Sequence, residues 1–457
     1  MLYFDARRWI LVSHSDRKSI IFLNCCLLLV CFSLPSLLRA AEGERISVLI
    51  ASKGKLLLNP DGRKTRQLPF EVNGKLVMNQ RKLDSLQDRP RWIRHFSTAY
   101  ANIRIGGSTA RKSQLPSDRR IFVCQRRPDR LLLFSPHGPL TRAQLDLVQV
   151  PGDPNELQGV LSDLKTDKSR WQPRTAKEKK HVARMFYLDA INQTSLTGEV
   201  KKRTASLMQV KIVGTVSGAV RGVATELDIQ ATLEWDTNRA SLQQATWVIK
   251  EKRAIGHAEP GFESTTEIQM KSSPADGSDT LGDSQVSGLP LDYRRAATVL
   301  RFQSPHVAVQ MLADREWITM VDRPEVMIMR LVNRGDLTAQ CNVSSLPDLK
   351  PGKHLALKSF QSDIRTSLGK QFAQFVSAEQ FVTSHKLRVL RVVAIGRSSS
   401  LPIQWNYYHL SNDQGRRAAL VFTMESKLVK RFAARDRSMI DTFQFLRRPA
   451  PARAKVK

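Results

Sequence analysis

Between Val223 and Trp235 the chain alternates without a break. Val223, Thr225, Leu227, Ile229, Ala231, Leu233 and Trp235 fall on one side, and Glu226, Asp228, Gln230, Thr232, Glu234 and Asp236 on the other. A period of two with one polar face predicts a long antiparallel strand that is wet on one side only. Asp236-Thr237-Asn238-Arg239 supplies the turn, Ser241 to Lys252 the returning strand, and Val210 to Val216 the preceding one. Gly214, Gly218 and Gly222 recur every four residues outside any apolar run, and read as bends in a sheet. The pattern predicts a meander over about 205–271 whose apolar face must be covered, either by a helix or around a ligand.

Upstream the pattern is less regular. Ile46 to Leu58 predicts a hairpin at Lys53-Gly54-Lys55, and Phe70 to Met78 another around Asn73-Gly74. Ile121 to Cys124 with Leu131 to Phe134 predicts a strand pair, and spacings of three and four predict helices over Arg91 to Ile103, Thr141 to Val148 and Thr175 to Ile191. Downstream, strands are expected at Val326 to Val332, Leu337 to Val343, Phe372 to Ala378, Leu387 to Ile395, Ile403 to Leu410 and Ala418 to Met424. Leu357, Phe360, Ile364 and Leu368 recur at helical spacing within His354 to Leu368, and Gly369 stops that helix; a second begins near Arg435. Turns fall at Arg334-Gly335-Asp336 and Asn412-Asp413-Gln414-Gly415. The fold class is therefore α+β: an N-terminal and central antiparallel β-rich region over 42–271, an exposed linker over 272–296 rich in Ser, Gly, Asp and Pro, a C-terminal domain over 297–446, and a basic tail over 447–457.

The C-terminal element order carries a resemblance. Ser304-Pro305 opening a strand, Trp317 shortly after, a hairpin ending at Cys341, a helix, Gly369, three long strands with Trp405-Asn406-Tyr407-Tyr408, and a short final helix resemble the PsbP-like fold over about 298–446. The resemblance implies an antiparallel sheet with helices on both faces, and a role as an extrinsic adaptor that binds other proteins. No motif allows the metal or partner residues of PsbP-like relatives to be carried over. Ser97 to Met270, with Val150-Pro-Gly-Asp153 and Ile249 to His257, is similar to uncharacterised exported bacterial proteins, which implies no activity.

Composition changes the picture in one respect. The chain has 457 residues, with 72 Lys+Arg against 42 Asp+Glu for a formal +30, enough to suggest nucleic-acid binding in a cytosolic protein. Ile20 to Leu38, however, is an almost uninterrupted apolar run preceded by Arg7, Arg8, Arg17 and Lys18 and followed by Arg39-Ala40-Ala41-Glu42-Gly43. That arrangement predicts a secretory signal over residues 1–41, cleaved between Ala40 and Gly43, and a protein of the periplasm, cell envelope or secretome. The other reading is an uncleaved N-terminal membrane anchor at Ile20 to Leu38, since a helix of this length spans roughly a bilayer. Either way the expected partners of the basic residues are anionic surfaces or acidic proteins rather than nucleic acid. The charge is uneven: residues 42–200 carry +13, 201–271 +2, 272–293 −4 and 294–457 +16.

Chemistry is mostly absent. Cys25, Cys26 and Cys31 lie in the apolar run; Cys124 and Cys341 remain, each in an apolar stretch that fits a buried thiol, although one disulfide between them is open in an oxidising compartment. Neither a phosphate-binding glycine loop, nor a nucleophile elbow, nor histidines at metal-ligand spacing occur, so no cofactor, metal or catalytic residue is expected. The most pointed cluster is Lys250, Lys252 and Arg253 running into His257 and Glu259, a candidate grip for an anion or other ligand at the rim of the meander; its bland reading is a strand end followed by a Pro-Gly turn. Arg416 and Arg417 are candidate partner contacts. The sequence thus favours an exported, non-catalytic binding or adaptor protein, with a carrier of an apolar ligand or lipid in the central β region as the alternative, and leaves the oligomeric state open.

Overall fold

The computed structural model describes residues 43–59, 64–86, 89–164, 169–275, 281–294 and 298–448. The segment expected to be a secretory signal, part of the expected linker and the end of the expected basic tail lie outside the described residues.

The N-terminal region opens with three long strands, β1 (Glu44–Leu58), β2 (Arg66–Leu86) and β3 (Arg89–Ile105), followed by the short β4 (Arg111–Gln114), β5 (Ile121–Arg126) and β6 (Leu131–Phe134). Helices α1 (Arg142–Val148) and α2 (Pro154–Asp163), the two-residue β7 (Arg170–Trp171) and α3 (Ala176–Met185) come next. Then β8 (Ala190–Thr194) and β9 (Thr197–Arg203) lead into the meander of β10 (Leu207–Val220), β11 (Val223–Asp236), β12 (Ser241–Arg253) and β13 (Gly261–Pro274). All join one antiparallel sheet of order β6-β5-β3-β2-β1-β13-β12-β11-β10-β9-β7, with β4 beside β3 and β8 beside β10.

The alternation of β11 is met residue for residue, with Val223 to Trp235 buried at every second position. The covered face is filled by α2 and α3: Leu157, Leu161, Val182 and Met185 are fully buried in the same core as Trp235 and Trp247. The Phe186 ring meets Trp247 edge-on at 5.7 Å. Helices α1 and α3 start on capping boxes at Thr141 and Thr175, each threonine accepting from the third helical amide while Gln144 or Glu178 reaches back.

Several expectations from the sequence do not hold in the structure. The Lys53-Gly54-Lys55 and Asn73-Gly74 hairpins do not exist, because β1 and β2 run straight through both sites. Gly54 serves close approach instead, since a Cβ there would collide with the Glu263 carbonyl of β13. Arg91 to Ile103 is not a helix but most of β3. A bulge opposite Val77 and Met78 shifts the pairing by one residue. Trp92 and Phe96 therefore enter the main core, while Ile93 packs on the other face with Leu83, Leu281 and Val286. The helix expected over Thr175 to Ile191 ends at Met185, and residues 190–194 form β8. The stretch after β13 is not bare, since α4 (Asp283–Ser287) buries Val286.

The C-terminal part holds a small sheet of β14 (Leu300–Ser304), β15 (Val309–Ala313) and the terminal β23 (Gln444–Phe445). Ser304-Pro305 therefore closes a strand rather than opening one. The seven-stranded sheet comprises β16 (Trp317–Arg323), β17 (Val326–Asn333), β18 (Asp336–Leu346), β19 (Phe372–Val382), β20 (Arg388–Ser398), β21 (Leu401–Ser411) and β22 (Arg417–Glu425), in the order β16-β17-β18-β22-β21-β20-β19. Helix α5 (Leu357–Leu368) places Phe360, Ile364 and Leu368 on one face, against Leu390, Val392 and Trp405. Helices α6 (Val429–Phe432) and α7 (Arg435–Asp441) set Phe432, Met439 and Ile440 on the other. A helix-sheet-helix sandwich results, and its second face shares one core with the long N-terminal sheet. The molecule belongs to the α+β class.

Candidate functional site

Two polar arrangements stand where the helices of the N-terminal region meet its sheet. The first is a buried network. Gly152, in the left-handed region at φ 82 with the Trp247 ring where a Cβ would lie, turns the chain so that Asp153 and α2 enter the core. Arg94, 1% exposed, grips Asp153 with both terminal nitrogens, at 2.9 and 3.0 Å, and donates from Nε to Gln80 at 2.8 Å. Gln80 exchanges two bonds with Asn155. Glu156, fully buried, accepts from Arg126 at 2.7 Å, from Arg184 at 2.9 Å and from His181 at 3.2 Å. Burial alone would raise the Glu156 pKa, but the His181 bond and the charges of Arg126 and Arg184 outweigh it and draw it down to about 2. Every charge in this network has an opposite partner, so it anchors α2 and α3 to the sheet and has little left to offer a ligand.

The second arrangement is the reverse case. A cavity of about 880 Å³ opens between the N-terminal region and the C-terminal sheet, within the size range of small-molecule sites. Its walls come from α1, the β5–β6 turn, the chain from Arg184 to Ala190, the β10–β11 tip, the start of β16 and the β17–β18 tip. Six arginines and three carboxylates line it, and two of the carboxylates, Asp189 and Glu316, are closely engaged. Asp189 accepts from the Gly222 amide at 3.0 Å, Asp129 lies 3.8 Å from its neighbour Arg130, and Glu316 bonds Arg435 at 2.5 Å. Among the arginines, Arg184 is held by Glu156, while Arg221 pairs with Glu259 and, at 3.2 Å, with Asp146.

Arg130 and Arg334 are exposed, whereas Arg142 and Arg315 are half-buried and have no strong counterion among the described residues. Arg315 donates to two carbonyls, Thr298 at 2.7 Å and Leu133 at 2.6 Å, and its own carbonyl accepts from Arg142. Carbonyls orient a guanidinium without neutralising it. Arg142 reaches Asp146 only at 3.9 Å, the carboxylate that Arg221 holds more closely, and its Nε has no hydrogen-bond partner. Burial, and then the charge of Arg221, pulls the Arg142 pKa down to about 10; burial, and then Arg142 and Arg130, does the same to Arg315. Two half-buried cations that repel each other and lack a close acid form a site where an incoming anion gains directly, and a guanidinium fork suits the oxygens of phosphate or carboxylate.

The residues singled out from sequence are scattered around this site. Glu259 neutralises Arg221, a cavity-lining residue, and lies 3.6 Å from Arg253, whose nearer partner is Glu251 at 2.6 Å. His257 touches the C-terminal sheet through its carbonyl, which accepts from Arg330 of β17. Lys250 and Lys252 are exposed on the outer face of β12 and do not join the others. Arg416 bonds the Leu446 and Ala308 carbonyls and Arg417 the Pro347 carbonyl, so both tie segments of the C-terminal part to one another. Arg142, Arg221 and Arg315 were not singled out. They are far apart in sequence, and only the two Arg-Gly hairpin tips, Arg221-Gly222 and Arg334-Gly335, offered a local signal. Cys124 and Cys341 are free buried thiols, and burial pushes Cys124 up to about 12.

No protein-family model matches the chain, and no curated protein matches it. Among solved structures it is similar to a Bacteroides thetaiotaomicron protein, at 11% identity over 32% of this chain and 48% of that one, with a TM-score of 0.25. The chain thus spans about half the length of that protein. Lipovitellin matches at 10% identity over 51% of this chain and 25% of its own, with a TM-score of 0.28. Cyanobacterial PsbP from Synechocystis matches at 16% identity over 34% of this chain and 99% of its own, with a TM-score of 0.25.

Proposed function

We propose that the chain is an exported, non-catalytic binding protein with a PsbP-like C-terminal adaptor domain, and that it receives an anionic group of its ligand or partner at Arg142 and Arg315. The observation that carries this reading is the pair itself: two half-buried guanidiniums facing one cavity, oriented by main-chain carbonyls and lacking a strong counterion among the described residues. A protein that used these arginines only to hold its domains together would gain by pairing them with acids, as it does for Arg94 and Arg184. The carrier reading places an apolar ligand in residues 200–270. There Trp235 and Trp247 pack against residues of α2 and α3, which supports a filled core rather than a lipid cavity.

The test is thermal unfolding and calorimetric titration with inorganic phosphate, a phosphate monoester and a monocarboxylate. Binding of any of them stabilises the native state by about 2.7 kcal/mol at a hundredfold excess over Kd. Arg142→Gln with Arg315→Gln is expected to abolish that gain while leaving the protein folded. Equal stabilisation of the double variant, or none of the wild type by any of the three anions, would sink the proposal.

A further inference from the structure

The described residues cover the long sheet along only part of its inner face. In the register of β1, β2, β3 and β13, Leu56, Leu68, Phe70, Ile103, Ile105 and Phe262 share a face with the buried Val48, Leu76 and Met270. Those three join the core, whereas the six do not. Five of the six are half-buried and Ile105 is 39% exposed. The Phe70 and Phe262 rings meet edge-on at 6.4 Å, and the Arg253 guanidinium lies 4.5 Å from the Phe262 ring centre. At this end of the sheet, then, an apolar patch continues the core face past the point where the covering helices stop.

Its surroundings are basic. Lys53, Lys55, Lys64, Arg66, Arg111 and Lys112 are exposed around it, and none of them pairs with an acid among the described residues. The exposed acids at the same end of β2 and β13 are Glu71, which lies 3.4 Å from Arg104, and Glu263. Register places Arg111 beside Ile103 on the inner face, while Lys53 and Lys55 project from the outer one. The collar therefore wraps both faces of the sheet. A peptide partner cannot add itself as a strand beside β1, β2 or β13, because each has a neighbour on both sides.

We propose that this end of the sheet docks on an anionic lipid surface. The apolar patch enters the headgroup boundary, and the lysines and arginines around it neutralise lipid phosphates. A bilayer with an anionic surface over an apolar interior complements both features at once; an acidic protein would leave the apolar patch unmatched. The surface is separate from the Arg142–Arg315 cavity and stands on different residues.

Co-sedimentation with vesicles of phosphatidylcholine containing increasing phosphatidylglycerol tests it on the full chain. The wild type is expected to bind more tightly as the anionic fraction rises. Lys53→Gln, Lys55→Gln and Arg66→Gln are expected to weaken binding about fivefold each. Phe70→Ser with Ile105→Ser is expected to weaken it about tenfold even in high salt, where the electrostatic part is screened. Because all variants share the same N-terminal apolar run, differences between them report the patch alone. Hydrogen exchange supplies a second measure, with slower exchange expected at residues 53–58 and 66–72 when anionic vesicles are added. Arg142→Gln with Arg315→Gln should bind vesicles as the wild type does, which keeps failure of the cavity reading distinct from failure of this one. Wild-type vesicle binding by the triple lysine and arginine variant would overturn the proposal. So would unchanged exchange at both segments, or self-association or acidic-polypeptide binding that the variants abolish while vesicle binding is absent.

Discussion

Gly222 and Gly335 meet backbone to backbone at the rim of the arginine cavity. Each is the second residue of a two-residue hairpin turn, preceded by an arginine that is also left-handed: Arg221 at φ 50 and Gly222 at φ 74, Arg334 at φ 53 and Gly335 at φ 87. A Cβ on Gly222 would collide with the Arg334 carbonyl carbon and the Gly335 amide nitrogen. Gly222→Ala is therefore expected to destabilise by more than the roughly 1–2 kcal/mol that an L side chain costs in this conformation. Gly352, also at φ 74 but with open space around it, provides the control, since Gly352→Ala carries the conformational cost alone. Urea unfolding of both variants isolates the contact; equal losses would mean that the tips do not press on each other in solution.

Removing Arg94 leaves Asp153 buried without a counterion. Arg94→Met is expected to cost about 3–5 kcal/mol in urea unfolding. The loss should shrink when Asp153→Asn is added, because the stranded charge goes with it. A single-variant loss below about 1 kcal/mol would mean that the network is open to water.

Two acid limbs are expected, in different pH windows. His409 is 1% exposed with Nε2 lacking a partner among the described residues, and burial, then the charge of Arg417, lowers its pKa to about 4. A histidine depressed in the folded state stabilises fully above its unfolded value near 6.5. That contribution drains away as pH falls from there toward 4. His409→Leu should flatten stability over that interval. Glu156, depressed to about 2, holds its contribution above its ordinary value of 4.5 and loses it as pH falls from 4.5 toward 2. Glu156→Gln should be less stable at neutral pH, because Arg126 and Arg184 lose their acid, yet lack the lower limb. Stability measured from pH 7 to 2 separates the two, and an unchanged profile in either variant refutes its assignment.

Cys124 and Cys341 are both 0% exposed, with thiol pKa values raised by burial. Neither is expected to react with iodoacetamide in the folded chain at pH 8, and both should react in urea without reductant, as located by peptide mapping. A linked peptide pair would show a disulfide in place of two thiols.

What the sequence revealed followed how each strand is wetted. The β11 and β22 patterns were legible because one face of each is consistently drier, and β20 and β21 because both faces are buried and the strands read as nearly continuous apolar runs. Residues 91–103 read as a helix because β3 buries residues on both faces and shifts register at its bulge, so that Trp92, Ile93, Phe96 and Ala99 mimic a spacing of three and four. The glycines of Lys53-Gly54-Lys55 and Asn73-Gly74 signalled turns, whereas their role is to let neighbouring strands close in. Glu259 was legible as part of a cluster, but its partner Arg221 was not, because the hairpin that delivers Arg221 is placed by tertiary packing. Arg142 and Arg315 have no shared motif, and only the fold brings them together.

The position of β1 has a consequence for how the chain becomes a protein. β1 is an inner strand, with Glu44 opposite Gln80 on one side and Pro274 on the other. Its second partner is made more than two hundred residues after it, so a chain emerging from its N-terminus carries β1 with one flank bare until β13 arrives. Such long-range closure slows folding and leaves a sticky edge exposed meanwhile. It also makes β1 a keystone: removing it alone would divide a single sheet into two and create a raw edge on each, at β2 and at β13.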